Sequence, residues 1–414
     1  MSARRRPRPT PLLALAALVL GLGLSGGGVG ARSATAATPT SVAVVQTRVS
    51  GGVSHPLRLK VFGTRPDATA LLTSTTATGY TPAQVRGYLG LSGTGAGQTV
   101  AVISAYDAPN IVNDLATFNQ KFGLPAPPSF KKVNQTGGTK FPTVDGGWAL
   151  ETALDVEWVH AVAPGAAIIL VEASSSALSN LLTALTYASK LAGVTVLSNS
   201  YGTAEYSTQG QQDYRCKLTT GVCVFATGDN GNPGLYPATS PWALAVGGTS
   251  LGLDGAGAVT SEVAWSGSGG GVSLYTAKPS FQSGLSAPRR AIPDVSYDGD
   301  PATGFPTFSS TTYQNQSGWF QMGGTSAGAP QWSGVLAVSN QLRKAAGKGP
   351  LVAANSAGGA PLHAALYPSG TLADIVSGSN GSCGAVCTAG PGYDTVTGLG
   401  SPRAGLDLVL KGLA

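Results

Sequence analysis

Short apolar segments that alternate with helical segments are the feature that most restricts the fold of this 414-residue chain. Their nearly continuous apolar residues are typical of buried strands, and their alternation with helices predicts an α/β fold. In such a fold a parallel sheet is covered by helices on both faces, here within a single large domain. The predicted strands are QTVAVISAY (98–106), AAIILVEA (166–173), VTVLSNS (194–200), GVCVFAT (221–227) and ALAVGG (243–248). The predicted helices are 110–122, 146–164, 176–193 and 328–347.

The segment GGTSAGAPQW (323–332) presents Ser326 as a nucleophile is often presented. The serine follows two glycines and precedes a Pro-led helical run, so we expect it at a helix N-terminus. There the field of the helix favours developing negative charge. The tetrapeptide GGTS recurs at 247–250, but a strand-and-turn pattern follows it, so we expect Ser250 to be structural.

A nucleophilic serine needs a base, and in most serine hydrolases that base is histidine. The three histidines of the chain are His55, His160 and His363, and none lies in an obvious catalytic sequence context. His160 is nine residues after Glu151 on the same predicted helix, so its side chain faces well away from that residue. The sequence therefore leaves open which group takes the serine proton.

Two acidic residues of the helix 146–164 could supply the base. Glu151 and Asp155 are four residues apart, so they share one helix face with their carboxyl groups about one turn apart. Like charges at that spacing disfavour each other and raise one pKa. A polar stripe on a surface helix would have the same spacing, although the surrounding residues here are apolar.

A third acidic residue, Asp229, directly follows the strand 221–227 in the segment ATGDNG. The carboxyl ends of parallel strands are where reactive residues of α/β sheets gather. Asp-Asn-Gly is also an ordinary turn sequence, so position alone does not separate a catalytic acid from a turn residue.

In this order the motifs resemble those of the sedolisins, serine-carboxyl peptidases with a subtilisin-like fold. Glu-x-x-x-Asp on a helix, Gly-Asp-x-Gly after a strand and GGTSAxAP all occur, and the resemblance runs from about Tyr80 to the C-terminus. Further segments that carry it are SNSYG (198–202), PATSPWALAVGGT (237–249), SGGGVS (268–273) and AGPGYDTVTGLGSP (389–402).

The resemblance implies a role for each of four residues. Ser326 would be the nucleophile, with Glu151 as its general base. Asp155 would orient and polarise Glu151, and Asp229 would donate a hydrogen bond to the oxyanion. A peptidase of this kind would be an endopeptidase or a tripeptidyl peptidase acting on polypeptides.

These roles need carboxyl groups in unequal states of protonation. Glu151 must accept a proton, whereas Asp229 can donate to an oxyanion only while it is protonated. We therefore expect activity at acid pH, because a rise in pH would ionise Asp229. Only 11% of the residues are charged, against roughly 25% in an average soluble domain. A protein with so few titrating groups is suited to an acid environment, because its charge changes little as the pH falls.

The segments LADIVSGSNG (372–381) and AGPGYD (389–394) offer two carboxylates and glycine-rich backbone carbonyls, which are the ligands that Ca²⁺ prefers. A plain loop closed by a disulfide would explain the same residues. The resemblance favours one structural calcium ion, and its implied ligands are Asp374, the carbonyl of Ile375, the carbonyls of Gly390 and Gly392, and Asp394.

The first residues have the pattern of an export signal: RRRPRPT, then PLLALAALVLGLGL, then the small-residue segment SATAA. We expect a signal peptide over 1–36, a short pro-segment or linker over 37–79, and the peptidase domain over 80–414. The protein would be secreted and extracellular, with no stable membrane association after signal cleavage. An uncleaved membrane anchor is the competing interpretation.

The net charge of +6 falls to +1 without the five arginines of the first 40 residues, so it gives no reason to expect a nucleic-acid partner. We expect a monomer. The four cysteines form two close pairs, Cys216/Cys223 and Cys383/Cys387, which in an exported protein favours two local disulfides over a zinc site.

Two other functions remain possible from the sequence. A subtilisin-type Ser-His-Asp protease would use Asp107, which ends the first predicted strand, but no suitable histidine accompanies it, so we expect a turn role there. A catalytically inactive sedolisin-like protein could serve as an extracellular binding module. The presence of all four acid and serine positions argues against this second alternative.

Overall fold

The structure is a computed structural model that describes residues 58–60, 72–353, 360–368 and 371–413. All of these residues lie in one unit of the chain, Thr40–Ala414. The predicted signal peptide (1–36) and His55 lie outside the described residues.

The strands within the described residues are numbered in chain order. They are β1 (Arg58–Lys60), β2 (Leu72–Ser74), β3 (Thr99–Ala105), β4 (Phe130–Asn134), β5 (Ala167–Ala173), β6 (Val194–Asn199), β7 (Val222–Ala226), β8 (Ala243–Leu253), β9 (Val259–Ala264), β10 (Gly271–Ala277), β11 (Arg289–Ile292), β12 (Val295–Asp298), β13 (Phe305–Tyr313), β14 (Gln316–Gly323), β15 (Leu351–Val352) and β16 (Ala360–Pro361). The α-helices are α1 (Pro82–Leu89), α2 (Ile111–Phe122), α3 (Gly146–Val162), α4 (Leu178–Ala188), α5 (Thr325–Ala345), α6 (Leu362–Leu366) and α7 (Leu406–Gly412).

The central sheet confirms the predicted α/β fold. Its parallel strands follow the order β12-β8-β7-β6-β3-β5-β4, and β9 pairs antiparallel with β8. The five strands predicted from apolar runs are β3, β5, β6, β7 and β8. They read as apolar in the sequence because helices cover both faces of the sheet.

Alternate residues of β3 enter two separate cores. Val100 and Val102 pack with α3 and α5 on one face of the sheet, whereas Ala101 and Ile103 pack with α4 on the other. The α3–α5 face also receives α1, α2 and strand β13. Helix α3 is therefore surrounded by protein, and every residue from Gly147 to Val162 is buried.

A second sheet leads the chain into α5. Strands β13 and β14 form an antiparallel hairpin, and the other edge of β14 pairs with β1 antiparallel and with β2 in parallel. Both of those short strands come from the segment 37–79, and both pair with β14. Helix α1 (Pro82–Leu89) follows this segment, with Thr81 as its N-cap in a capping box and proline at the first helical position.

Three predicted elements differ from the structure by three or more residues at one end. The strand predicted over 243–248 continues to Leu253 as β8. The helix predicted over 328–347 runs from Thr325 to Ala345, with Pro330 inside its second turn. The helix predicted over 176–193 occupies only Leu178–Ala188, and turns complete the connection to β6.

The two disulfides have the predicted local pairing, Cys216–Cys223 and Cys383–Cys387. Among the described residues, no helix has the length and apolar character needed to cross a membrane.

Candidate active site

Three elements bring the four predicted catalytic residues to one buried place. Helix α3 contributes Glu151 and Asp155, the turn after β7 contributes Asp229, and the first turn of α5 contributes Ser326. Their side chains are exposed by 0%, 1%, 3% and 0%, respectively. Charges in such a site are poorly screened, so each carboxyl group responds strongly to its neighbours.

The sharp entry into α5 is fixed by glycine. Gly324 has a φ of +96°, in the region that favours glycine, and its N–H donates to the carbonyl of Gly299 at 2.6 Å. This bend turns the chain from β14 directly into the helix that carries Ser326. The second GGTS serine is different, because Ser250 lies in β8 and donates to Asp300 Oδ2 at 2.7 Å, as expected for a structural serine.

Helix α3 places Glu151 near Ser326. Its N-cap Asp145 accepts a hydrogen bond from the backbone N–H of Trp148 at 2.9 Å, which fixes the start of the helix. Burial first, and then the charge of Asp155, hold the pKa of Glu151 well above its ordinary value. The nearby Ser326 side chain lowers that pKa in part, and the charge of Asp229 raises it further.

Asp155 is held by a serine that the sequence analysis did not assign. Ser200, just after β6, donates to Asp155 Oδ1 at 2.6 Å. Burial raises the pKa of Asp155, and this hydrogen bond lowers it in part. Because both acids of the pair have raised pKa values and are four residues apart, they titrate as a unit.

The same Ser200 hydroxyl lies 3.4 Å from the carbonyl oxygen of Ser326. In a regular helix that carbonyl would accept from the backbone N–H four residues later, but this position is Pro330, which has none. Ser200 thus contacts both the acid pair and the backbone of the nucleophile.

Asp229 is bound to the residue that precedes the nucleophile. Its Oδ1 accepts from the backbone N–H of Thr325 at 2.8 Å and from the Thr325 hydroxyl at 2.9 Å. The same hydroxyl accepts from the backbone N–H of Gly228 at 3.0 Å. The turn after β7 and the start of α5 are therefore joined by three hydrogen bonds.

The described histidines have other partners. His160 is buried and its Nε2 bonds the carbonyl of Pro125 at 2.7 Å, while burial lowers its pKa. His363 is also buried, and its Nε2 lies 3.0 Å from the carbonyl of Ala243 and 3.2 Å from Asp294 Oδ2. Asp107 forms an ion pair with Lys132. These contacts give no support to a Ser-His-Asp triad among the described residues.

The residues of the predicted calcium site come together in one loop region. Asp374 Oδ2 accepts from the backbone N–H of Gly392 at 2.8 Å. Asp394 Oδ1 accepts from the backbone N–H groups of Val396 and Thr397, each at 2.8 Å. The described residues contain no cluster of three or more His, Cys, Asp or Glu side chains suited to a metal, so any ion here would need backbone carbonyls as well.

Two residues of the site were missed at the level of sequence, Ser200 and Thr325. Each has a signal in hindsight, since Ser200 follows the buried strand β6 and Thr325 lies between the glycines and Ser326. Neither signal identifies the acid that the side chain binds, because those acids are 45 and 96 residues away in the chain.

The arrangement can perform one kind of chemistry especially well. A buried carboxyl group beside a hydroxyl can take its proton, and the acid behind it can share the resulting charge. When the Ser326 hydroxyl attacks a carbonyl carbon, the carbonyl oxygen becomes negatively charged, and a protonated Asp229 could donate a hydrogen bond to it.

Comparisons with known proteins agree with this geometry. Residues 108–353 match the subtilase family. Kumamolisin of Bacillus sp. (strain MN-32) is 33% identical over 375 residues, which cover 80% of this chain and 63% of kumamolisin. Sedolisin of Pseudomonas sp. (strain 101) is 36% identical over 181 residues, which cover 40% of this chain and 28% of sedolisin. The chain thus spans less than two thirds of the length of either relative.

A solved structure is similar over nearly all of its own chain. It is that of Pseudomonas sedolisin, a serine-carboxyl proteinase, complexed with two molecules of pseudo-iodotyrostatin. The TM-score is 0.69 and the sequence identity 28%, with 81% of this chain and 99% of that chain covered.

Proposed function

This chain belongs to the subtilase family and, within it, to the sedolisins, and from that premise we propose that it is a secreted serine-type peptidase that cleaves polypeptides at acid pH. The observation that carries the proposal is the meeting of Ser326, Glu151, Asp155 and Asp229 in one buried cluster, in which the other three side chains all act on the pKa of Glu151. A carboxylate in this position takes the part that imidazole has in a Ser-His-Asp triad.

In the proposed reaction Ser326 Oγ attacks the carbonyl carbon of the scissile peptide while its proton passes to Glu151. Asp155 shares the charge of the pair before and after this transfer. Asp229, protonated, donates to the oxygen that becomes negative. When the C–N bond breaks, the proton on Glu151 passes to the leaving amine, and an acyl-enzyme on Ser326 remains. Water then attacks the ester while Glu151 again accepts a proton. The bond from the acyl carbon to Ser326 Oγ breaks, Oγ takes that proton back from Glu151, and the carboxylic acid product leaves.

The proposed acid optimum follows from two opposing requirements. The Glu151–Asp155 pair must carry one negative charge to act as a base, which sets the acid limb of the rate profile. Asp229 must keep its proton to act as a donor, which sets the alkaline limb. The rate should therefore follow a bell-shaped curve in pH whose limbs describe the whole cluster rather than single residues.

A structural calcium ion is part of the proposal. Asp374 and Asp394 would bind it, together with the carbonyls of Ile375, Gly390 and Gly392, and it would join the two loops that carry them. The support is the contact between the Asp374 carboxylate and the 390–394 loop. Hard oxygen donors on two loops suit this ion. By joining the two loops, the bound ion would stabilise the C-terminal region.

Export and a monomeric state complete the proposal. Export is supported by the basic and then apolar sequence of residues 1–36, with its small-residue end, and by two local disulfides, which persist in oxidising compartments.

The proposal is tested by a rate profile from pH 3 to pH 7 on denatured protein, comparing the full chain with four variants. Ser326→Ala should lower kcat at least about 10⁴-fold, and Glu151→Gln roughly 10²- to 10⁴-fold. Ser250→Ala is the matched control for the first, because it changes the second GGTS serine. Glu157→Gln is the matched control for the second, because Glu157 is a buried acid of α3 that accepts from the backbone N–H of Phe308 instead.

Both control variants should keep the activity of the parent. Loss of activity in Ser250→Ala equal to that in Ser326→Ala would contradict the assignment of the nucleophile. A parent rate that is still rising at pH 7 would contradict a protonated Asp229. Mass spectrometry of the products would separate endopeptidase from tripeptidyl-peptidase action.

A further inference from the structure

Thr325 lies between the nucleophile and the proposed oxyanion donor, and its side chain is completely buried. It makes three hydrogen bonds, all to the turn after β7. The residue binds no charged group other than Asp229 through these contacts.

The direction of each hydrogen bond follows from the chemistry of the atoms. The N–H of Gly228 can only donate, so the Thr325 oxygen accepts it. The hydroxyl proton is then available for Asp229 Oδ1, 2.9 Å away. The N–H of Thr325 also donates to that same oxygen, at 2.8 Å. Asp229 Oδ1 is therefore an acceptor of two hydrogen bonds.

We propose that Thr325 is a positioning residue that fixes which oxygen of Asp229 carries the catalytic proton. An oxygen that accepts two hydrogen bonds behaves as the carbonyl oxygen of a carboxylic acid, so the proton lies on Oδ2. This inference rests on the proposed function, since the orientation matters only if Asp229 donates to an oxyanion. Without the threonine hydroxyl the acid could rotate or carry its proton on the wrong oxygen.

Adjacency in the chain makes the arrangement precise. Thr325 and Ser326 are consecutive residues in the first turn of α5, so the positions of the nucleophile and of the acid depend on the same piece of backbone. Gly324 sets the direction of that backbone through its positive φ. Placement of a donor at the oxyanion to within a fraction of an ångström is what such catalysis requires.

A titratable group that acts on Asp229 comes from α3. Glu151 interacts with it electrostatically, and Asp155 lies next to Glu151. The turn of Asp229 also bonds residues 266–270 and the strand residue Val246, and neither of these sequences contains a titratable side chain. The pH response of Asp229 should thus reflect the acid pair and the hydrogen bonds from Thr325.

The test compares Thr325→Val with Thr325→Ser in the full chain. Valine keeps the shape but removes the hydroxyl, whereas serine keeps the hydroxyl and removes a methyl group. Steady-state kinetics on a fluorogenic peptide from pH 3 to pH 7, with thermal unfolding by circular dichroism, give kcat, KM and the state of folding.

For Thr325→Val we expect kcat to fall roughly 10- to 100-fold, somewhat less than the loss on removal of an oxyanion donor. KM should change less than about 3-fold, because the substrate ground state is bound as before. The alkaline limb should move up by about 1 pH unit, since the ionised Asp229 loses a charge-assisted hydrogen bond. Thr325→Ser should restore both kcat and the limb.

An active parent whose alkaline limb is the same in Thr325→Val would overturn the inference, as would Thr325→Ser that fails to restore the limb. If Thr325→Val does not fold, Thr325→Ala is used instead. Alanine removes the hydroxyl together with the γ-methyl group, adds no new group to the site, and carries the same expectation. Failure of the proposed function gives a different result, namely a parent without acid peptidase activity or full activity in Ser326→Ala.

Discussion

Replacement of Glu172 by glutamine tests how the buried acids of this chain respond to pH. Glu172 ends the core part of β5 and is completely buried, and its Oε1 accepts from the backbone N–H of Ala108 at 2.9 Å. Burial is the main cause that raises its pKa from 4.5 to about 7, with the hydrogen bond from Ala108 and the charge of Lys132 acting against it. The neighbouring carboxyl of Asp107 raises this pKa further.

The sign of the effect follows from the raised pKa. The folded protein holds the Glu172 proton over a pH range in which the unfolded chain has lost it. The contribution to stability is therefore complete below about pH 4.5 and is lost as the pH rises through about 7. From 4.5 to about 7 is a shift of about 2.5 units, and at 1.36 kcal/mol per unit this corresponds to about 3 kcal/mol.

Glutamine imitates the protonated acid, because its carbonyl can accept from Ala108 and its amide can donate to Asp107. Glutamine does not titrate. The Glu172→Gln variant should therefore not lose the stability that the parent loses above pH 4.5 as Glu172 ionises. Urea unfolding at pH 4, 6 and 8, followed by tryptophan fluorescence, measures the difference. Both proteins should carry Ser326→Ala to prevent self-digestion.

At pH 4 the two proteins should have similar free energies of unfolding, and this comparison is the control for packing. At pH 8 the free energy of unfolding of the variant should exceed that of the parent. This difference between the two proteins should be about 3 kcal/mol larger at pH 8 than at pH 4. The same pH dependence in both proteins would refute the reasoning.

Three further predictions concern the site, the core and the metal. Ser200→Ala removes the hydrogen bond to Asp155 and should lower kcat about 10-fold, corresponding to one hydrogen bond to a charged group, in steady-state kinetics at pH 4; an unchanged kcat would contradict it. Asp294→Asn breaks the buried ion pair with Arg290, whose two guanidinium nitrogens lie 2.6 Å from its oxygens, and should cost about 3–5 kcal/mol in urea unfolding; a loss under 1 kcal/mol would argue against a buried charge. A chelator should lower the melting temperature of the parent by several degrees, because it removes the proposed ion. The melting temperature of Asp394→Asn should not change, because this variant has already lost the ion; equal lowering in the two proteins would contradict a calcium site at this loop.

The sequence predicted those parts of the fold that depend on local pattern. Strands such as β3 are mostly apolar because both faces of the central sheet are covered. Helix α3 could be predicted but not its complete burial, which results from contacts with α5 and β13 far away in the chain. The hairpin β13–β14 was missed because its strands mix apolar residues with serine, threonine and glycine.

The four residues proposed from the sequence lie together in the structure, but the hydrogen bonds that connect them to their neighbours could not be predicted. Spacing identified Glu151 and Asp155 as a pair, and the glycines before Ser326 identified a sharp entry into a helix. The partners Ser200 and Thr325 escaped prediction, because serine and threonine are common and a hydrogen bond to a distant acid leaves no local pattern.

The most direct test of an acid-activated serine is to find the acyl group itself. The parent, Glu151→Gln and Ser326→Ala would each be mixed with an activated ester at pH 4, quenched in acid, digested and mapped by mass spectrometry. The account predicts an acyl adduct on Ser326 in the parent, at least about 10²-fold less of it in Glu151→Gln, and none at that position in Ser326→Ala. An adduct on another residue, or equal acylation of Ser326 when Glu151 is glutamine, would contradict the account.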